Sequence, residues 1–309
     1  MAVASERNIV TYSLDGLSWV KVTLPTSKGC CSVCYGNNKF VAMNHTDNTV
    51  LYSTDGITWT QATSPVSADF LSVCYENGKF VAVAYRSNIA AYSTDGSNWT
   101  QATLPSSNEW RSVCYGNDKF VAVAENSNIA AYSTDGITWT QTALPSSSNW
   151  SSVCYGNGKF VAVTYDSNIV AYSTDGINWT QVAIPASISC ENVCYGDGKF
   201  VIVAYHSNVA VYSIDGINWT QVALPITDYW HSVCYGNGKF VAVAVDSTYV
   251  VYSADGINWS KAAGITRVLQ NTDGEDISEG VKEAIGAADK TTLDVHLADK
   301  SNPHGVTAA

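Results

Sequence analysis

The chain has 309 residues, of which 46% are hydrophobic, 11% aromatic and only 14% charged, and its formal net charge is −11. This negative charge repels phosphate backbones and anionic lipid headgroups, so nucleic acids and membrane surfaces are not expected partners. No apolar run approaches the roughly 18 residues that span a bilayer, which argues against membrane insertion. Residues Met1–Arg7 lack the basic and apolar regions of a secretory signal, so we expect the chain to be made and to fold in the bacterial cytoplasm.

A 40-residue repeat organises most of the chain. The pattern Tyr-Ser-x-Asp-Gly-x-x-Trp begins at Tyr12, Tyr52, Tyr92, Tyr132, Tyr172, Tyr212 and Tyr252. A second pattern, close to Ser-Val-Cys-Tyr-Gly-Asn-Gly-Lys-Phe-Val-Ala-Val, begins at Ser32, Ser72, Ser112, Ser152, Asn192 and Ser232. Because the spacing never changes, every unit must occupy an equivalent place in the fold.

Each unit contains four short runs that are typical of β-strands. In the unit that begins at Ser112 they are Ser112–Tyr115, Phe120–Ala124, Ile129–Ser133 and Thr138–Ala143. The turns between them are rich in Gly, Asn and Asp, which tolerate a positive φ. Four short antiparallel strands in every 40 residues predict the blades of an all-β propeller. A β-solenoid is the less favoured alternative, because its coils are usually shorter and lack three tight turns.

The number of blades is six or seven, and we favour seven. The first two strands of the unit occur six times and the last two occur seven times, so six blades would leave the hairpin Asn8–Val22 without a place. A seventh blade would combine this hairpin with a strand from the C-terminus, for which Ile265–Gln270 is the candidate. The residues that follow are ambiguous, because Ile277, Val281 and Ile285 have helical spacing. We therefore divide the chain into a propeller, residues 1–262, and a short C-terminal extension, residues 263–309, that closes a blade and carries an attachment region.

The nine cysteines do not predict disulfides or a metal site. Six of them occupy one position of the repeat on an apolar strand, which is typical of small buried hydrophobic residues, and they are Cys34, Cys74, Cys114, Cys154, Cys194 and Cys234. The remaining three, Cys30, Cys31 and Cys190, form no Cys-x-x-Cys pair and have no histidine at ligand spacing. We expect no metal and no cofactor.

The repeats differ from one another mainly in two of their four connections. The turns between strands one and two and between strands three and four barely change, whereas the connections from strand two to three and from strand four to the next unit vary. In an up-and-down blade these two varied connections lie on the same face, which we call the varied face. Variation on one face of a rigid scaffold favours binding there, although drift in exposed loops is the alternative.

The predicted binding residues are the aromatic and polar side chains of these two connections, since such residues suit sugars and protein partners. The alternative for the aromatic ones is that they fill gaps between blades. The predicted set is Phe70, Tyr85, Arg86, Trp110, Arg111, Trp150, Tyr165, Asp166, Tyr205, His206, Tyr229, Trp230 and His231.

The segment Ser53–Trp59 and its six counterparts resemble the Asp-box of sialidase-like propellers, except that Asp and Gly are contiguous here. The resemblance implies a structural turn between strands three and four, with the Asp capping the turn and the Trp packed in the blade. It does not imply catalysis. Sialidase-like enzymes bind their substrate with three arginines, and only two of the four arginines of this chain lie on the varied face, the four being Arg7, Arg86, Arg111 and Arg267. We expect no enzyme, with a glycan-cleaving enzyme as a minor alternative.

The last residues suggest a biological context. The segment His296–Ala309, with Asn-Pro-His-Gly-Val-Thr at its centre, resembles a segment of phage tail-fibre and tail-collar proteins. The resemblance implies a homotrimer in a virion or phage-tail-like particle, attached to other tail or baseplate proteins. The leading hypothesis is therefore a receptor-binding or adhesion module that recognises a cell-surface glycan or protein through the varied face. A structural propeller that serves virion assembly is the alternative.

Overall fold

A computed structural model describes residues 2–3, 8–27, 29–44, 47–165, 167–185, 188–245, 247 and 249–262. All regular structure in these residues is β-strand, in 26 strands. No helix in this part of the chain is long and apolar enough to cross a membrane. Ile265–Gln270, the helical spacing from Ile277 to Ile285 and the segment His296–Ala309 lie outside the described residues.

The strands form six antiparallel sheets, one of which has seven strands and runs through two blades, so the sheets make up seven blades in chain order, which confirms the predicted propeller. Blade 1 contains β1 (Ala2–Val3), β2 (Ile9–Tyr12) and β3 (Val20–Thr23), and blade 2 contains β4 (Cys30–Gly36), β5 (Lys39–Asn44), β6 (Thr49–Ser53) and β7 (Thr60–Thr63). Blade 3 contains β8 (Asp69–Glu76), β9 (Lys79–Tyr85), β10 (Ser87–Ser93) and β11 (Thr100–Gly116), and β11 continues into blade 4 with β12 (Lys119–Glu125), β13 (Ser127–Ser133) and β14 (Thr140–Ser148). Blade 5 contains β15 (Trp150–Gly156), β16 (Lys159–Thr164), β17 (Ile169–Ser173) and β18 (Thr180–Ala183). Blade 6 contains β19 (Cys190–Gly196), β20 (Lys199–Ala204), β21 (Ser207–Ser213) and β22 (Thr220–Asp228), and blade 7 contains β23 (Trp230–Gly236), β24 (Lys239–Ala244), β25 (Val250–Ser253) and β26 (Ser260–Lys261).

The first strand of each four-stranded blade is the innermost. Successive first strands contact one another around the centre of the ring. Their contact includes a repeated hydrogen bond, in which the backbone N–H of Val113 donates to Ser72 Oγ at 3.1 Å and that of Val153 donates to Ser112 Oγ at 3.2 Å. The fourth strands are mostly exposed at the outside, as the pattern of β18 shows. The serine of the second sequence pattern therefore links neighbouring blades.

The core lies between the faces of adjacent blades. The second strand of blades 2 to 7 is largely buried on both faces, and Phe120 to Ala124 have no exposed surface at all. A strand covered on both sides needs a continuous apolar run, which explains the repeated Phe-Val-Ala-Val sequence. In one such layer Trp110 and Phe120 of blade 4 pack against Val81 and Val83 of blade 3. The repeat cysteines join these layers as free thiols, as predicted.

The Asp-Gly turn between strands three and four is a closed hydrogen-bond unit. In blade 2 the Oδ1 atom of Asp55 accepts the backbone N–H of Ile57 at 2.8 Å and that of Thr58 at 2.7 Å. Gly56 has a φ of 74°, and its carbonyl accepts the indole N–H of Trp59 at 3.2 Å. The turn therefore performs the structural role expected from its sequence.

Contacts between blades show that the ring closes with seven positions. The side-chain amide of Asn157 in blade 5 donates to the carbonyl of Ile214 in blade 6 at 2.9 Å, 57 residues later. The amide of Asn237 in blade 7 makes the same bond at 3.2 Å to Leu14 in blade 1, 223 residues earlier. The two separations together span seven repeats of 40, so blade 1 lies between blades 7 and 2. Because β1 pairs with β2, it takes the second-strand position, and no described residue takes the first.

The connection from strand four to the next unit differs from the prediction. We expected a loop from Leu144 to the next first strand, but β14 continues to Ser148 and β15 begins at Trp150. Between blades 3 and 4 a single strand, β11, spans the whole connection. Pro145 is exposed on the outermost strand, where no further strand needs a hydrogen bond from its backbone nitrogen. Much of the sequence variation therefore lies at the start of the inner strands.

Candidate functional site

Four of the predicted binding residues are part of the core. Phe70, Trp110, Trp150 and Trp230 are 0–1% exposed. They occupy one position of the repeat, at the start of the inner strand, where alternate side chains point to opposite sides. The indole N–H groups of Trp110 and Trp150 donate inward to the carbonyls of Ser106 and Ser146 at 3.2 and 3.1 Å. The prediction that these four rings are exposed was wrong, and the alternative that they fill the gaps between blades is what the structure shows.

The turns from strand two to strand three carry two exposed residues of the prediction. Arg86 and His206 are exposed, and both have a φ of 51°, in the left-handed region that costs most residues about 1–2 kcal/mol. Asn126, which tolerates this conformation better, occupies the same position in blade 4 with a φ of 53°. The turn therefore presents an arginine and a histidine in spite of a backbone cost. Asp166, at the same position in blade 5, lies outside the described residues.

An arc of aromatic rings crosses blades 5 to 7 on the varied face. The rings of Tyr165 and Tyr205 meet edge to face with centroids 6.2 Å apart, and those of Tyr205 and Tyr229 do so at 5.2 Å. His206 lies flat on Tyr229, with centroids 4.6 Å apart and an interplanar angle of 5°. Tyr229 is 44% exposed. We call these four residues the aromatic arc, and they form a rigid surface that is apolar on its faces and polar at its edges.

A second group, in blades 3 and 4, is dominated by charge pairing. The Nε atom of Arg86 donates to Glu109 Oε1 at 2.9 Å, and the Asn126 side chain donates to Glu109 Oε2 at 2.7 Å. The Arg86 guanidinium also lies 5.0 Å from the centre of the Tyr85 ring. The hydrogen bonds from Asn126 and Arg86 lower the pKa of Glu109. Both oxygens of this carboxylate are thus engaged by the protein itself.

A third group lines the central opening. In each inner strand a β-bulge interrupts the pairing one residue after the buried aromatic or cysteine position, for example between Trp110 and Ser112 and between Trp230 and Ser232. Bulges redirect a side chain and often occur beside binding sites. We call the residues at this position the bulge ring, and they are Cys31, Leu71, Arg111, Ser151, Glu191 and His231.

Side chains of the bulge ring converge across the centre. Arg111 of blade 4 lies 3.7 Å from Glu191 of blade 6, and only the central opening allows residues two blades apart to meet. Ser151, which lies between them on blade 5, is buried and donates its hydroxyl to the carbonyl of Cys190 on blade 6 at 2.5 Å. His231 is close enough to both Arg111 and Glu191 to be affected by their charges. The structure therefore brings together two predicted residues, Arg111 and His231, with one that the prediction missed, Glu191.

The protonation states at the bulge ring follow from burial. Burial lowers the pKa of His231, and the positive charge of Arg111 acts in the same direction while Glu191 opposes it. At neutral pH the imidazole is therefore uncharged. Burial raises the pKa of Cys31 to about 12 although Arg111 opposes the shift, so this thiol is not a nucleophile. In the part of the chain that the structure describes, no group of three or more His, Cys, Asp or Glu residues could hold a metal ion.

Glu191 had a signal in the sequence. At this position the six units carry six different residues, while the next three positions are nearly constant as Ser-Val-Cys. A varied position inside a constant strand indicates a side chain released from scaffold packing. The binding prediction included Arg111 and His231 from this position, whereas Glu191 was considered only as a candidate carboxylate for a glycan-cleaving enzyme.

Comparison with known proteins supports the fold. A family described as the DUF6242 beta propeller domain matches residues 106–190, less than a third of the chain. A streptogramin B lyase is similar in structure with a TM-score of 0.72 at 12% identity, over 85% of this chain and 90% of that one. The virginiamycin B lyase of Staphylococcus aureus has a TM-score of 0.69 at 14% identity, over 76% and 84%. YCF48 bound to D1 peptide has a TM-score of 0.61 at 16% identity, over 87% and 88%. No match to the sequence was found among curated proteins. At these identities the likeness establishes a β-propeller fold alone.

Proposed function

We propose that the protein is a receptor-binding or adhesion module that recognises a cell-surface glycan or protein through its varied face. The observation that carries the proposal is the aromatic arc, in which the exposed ring of Tyr229 is fixed by contacts with Tyr205 and His206. Rigid aromatic side chains contribute much binding energy because they lose little conformational freedom on binding. The left-handed backbone of His206 agrees with this role, since strained residues concentrate at functional sites.

The context that we propose is a phage tail fibre or a related phage-tail-like particle. Support for it comes from the resemblance of His296–Ala309 to tail-fibre segments. In this setting the protein is a homotrimer joined to other tail or baseplate proteins. Three copies of a weak site, held together, bind a cell surface far more tightly than one copy does.

The test is binding of the labelled protein to a panel of bacterial strains and their purified surface polysaccharides. We compare the wild type with Tyr229→Ala, which removes the exposed ring of the aromatic arc. The matched control is Ile214→Thr on the opposite face, where Ile214 is 61% exposed and most other units have threonine. Both variants should fold normally, because neither Tyr229 nor Ile214 is buried.

The expected result is saturable binding to a subset of strains that Tyr229→Ala reduces at least tenfold and Ile214→Thr leaves unchanged. Equal binding by both variants would mean that the receptor site lies outside the aromatic arc. No binding to any cell by the oligomeric protein, together with capture of a particle component, would favour the alternative of a structural propeller. Support for this alternative comes from YCF48, a protein of similar fold that was solved bound to D1 peptide.

A second candidate function is acid–base catalysis at the bulge ring. It is favoured by one observation, the meeting of an uncharged His231 with Glu191 and Arg111. A neutral imidazole beside a carboxylate and a guanidinium has the groups for proton transfer and for charge stabilisation. The test is prolonged incubation with each polysaccharide that binds, followed by analysis of chain length. Shortened products that disappear with His231→Ala would support an enzyme, and unchanged polymers would exclude this candidate.

A further inference from the structure

Each arginine that the structure describes on the varied face lies beside a carboxylate. Arg86 pairs with Glu109 at 2.9 Å and Arg111 lies 3.7 Å from Glu191. Asp228 accepts the hydroxyl of Ser247 at 2.6 Å and the backbone N–H of Tyr229 at 2.8 Å. Arg86 and Arg111 are the only arginines among the described residues, so neither is left as an unpaired anion-binding group on this face.

This pairing argues against a charged ligand. An anionic group would have to displace a carboxylate from an arginine, and the partly buried Glu191, 13% exposed, would then lose its partner. It would also approach a protein of net charge −11. At Glu109 and Glu191 a cationic group would face the opposite problem, because it would compete with Arg86 and Arg111 for these two carboxylates. A ligand that is polar but uncharged meets neither cost.

Hydroxyl groups suit the bulge ring. A guanidinium that donates and a carboxylate that accepts lie side by side at 3.7 Å, so neighbouring hydroxyls of one ligand can bond to both without separating the pair. This arrangement keeps the charges neutralised while the ligand supplies further hydrogen bonds.

The aromatic arc lies next to this pair. The backbone N–H of Tyr205 donates to the carbonyl of Ser189 at 2.9 Å, and Ser189 is two residues before Glu191 on the chain. Tyr229 likewise precedes His231 by two residues. Two residues of strand span about 7 Å, which is the scale of a single sugar ring. Aromatic faces pack against the C–H groups of a sugar while its hydroxyls reach polar groups nearby.

We infer that the ligand of the varied face is an uncharged sugar, with its apolar face on Tyr229 and Tyr205 and its hydroxyls at Arg111 and Glu191. This inference rests on the proposed function and narrows its ligand to one class. It makes acidic sugars and protein receptors the wrong ligands for this site.

The experiment uses the full-length protein and the polysaccharides purified from the strains that it binds. Acidic polymers are tested both as isolated and after chemical reduction of their carboxyl groups, so the two probes differ only in charge. We expect binding to neutral polymers, gain of binding when an acidic polymer is reduced, and little change between 0.05 and about 0.5 M salt, because no ion pair forms with the ligand. Glu191→Gln should weaken binding at least tenfold, and Glu125→Gln, which alters a carboxylate outside the bulge ring, should not.

The outcomes separate this inference from the function on which it rests. Binding that is confined to acidic polymers, or that falls steeply with salt, would overturn the inference and leave a receptor-binding function intact. If protease treatment of the cells abolishes binding and periodate treatment does not, the inference would also be overturned, and the receptor would be a protein. Absence of binding to any cell would instead refute the proposed function. The salt and carboxyl-reduction measurements use the wild-type protein, so they remain decisive even if Glu191→Gln fails to fold.

Discussion

The tryptophans at the start of the inner strands provide a sharp test of the fold, because two of them differ in a single contact. Trp110 and Trp230 occupy the same position in blades 4 and 7, and neither has exposed surface. The indole N–H of Trp110 donates to the carbonyl of Ser106 at 3.2 Å, whereas that of Trp230 has no partner. A change to phenylalanine removes a similar ring area at both positions, but it removes a hydrogen bond only at Trp110.

The expected costs follow from these contacts. A buried tryptophan replaced by alanine lowers the free energy of unfolding by about 3–5 kcal/mol, through lost burial and the cavity that remains. Replacement by phenylalanine costs less at both sites. The cost at Trp110 should exceed that at Trp230 by about 1 kcal/mol, the net value of a hydrogen bond in a folded protein.

The assay is urea unfolding followed by tryptophan fluorescence and circular dichroism, with cell binding measured in parallel. The midpoint for Trp110→Phe should lie below that for Trp230→Phe, and both alanine variants should be lower still. Binding by the folded phenylalanine variants should equal that of the wild type, because neither ring reaches the surface. A Trp110→Ala variant that keeps the wild-type midpoint but loses binding would refute the placement of this ring in the core.

Three further predictions concern acid stability, the strained turn and ring closure. Although burial opposes this shift, hydrogen bonds from the turn lower the pKa of Asp135 from 3.8 to about 2, and the aspartates of the other Asp-Gly turns are also shifted downward. The stability that the ionised aspartates contribute is complete above about pH 4 and is lost as the pH falls toward 2, so thermal midpoints should drop steeply over that interval. A flat profile would contradict the turn geometry. His206→Asn should leave the thermal midpoint nearly unchanged, because relief of backbone strain offsets the lost stacking on Tyr229, but it should weaken cell binding. The matched reverse change is Asn126→His in blade 4. If Ile265–Gln270 supplies the inner strand of blade 1, a chain ending at residue 262 should melt at a lower temperature than one ending at residue 271, and identical melting would exclude this closure.

The regular parts of the fold could be predicted because the same local sequence pattern recurs in every repeat. Apolar runs such as Phe120–Ala124 and Gly or Asn at each turn indicate short buried strands with tight turns. An unvarying period of 40 residues requires equivalent blades. The Asp-Gly turn likewise depends only on residues within a few positions of one another, as the hydrogen bonds of Asp55 show.

The candidate site depends on long-range geometry and was predicted only in part. Tyr205, His206 and Tyr229 were predicted because aromatic and polar side chains in the varied connections suit recognition. The tryptophans were misplaced because a varied segment was taken for a loop, whereas it forms the start of a strand. Glu191 was missed because its approach to Arg111 requires closure of the ring and a bulge in each inner strand.

The sequence by itself determined the β-propeller, its repeat and the face on which the units differ, since each of these follows from local pattern and period. Only the tertiary structure decided which varied side chains are buried and which meet at the centre. The physical reason is that the pleat of a strand sends adjacent residues to opposite sides, and a one-residue bulge changes that assignment. Trp110 and Arg111 are neighbours in the chain, and yet one fills the core and the other reaches across the opening to Glu191.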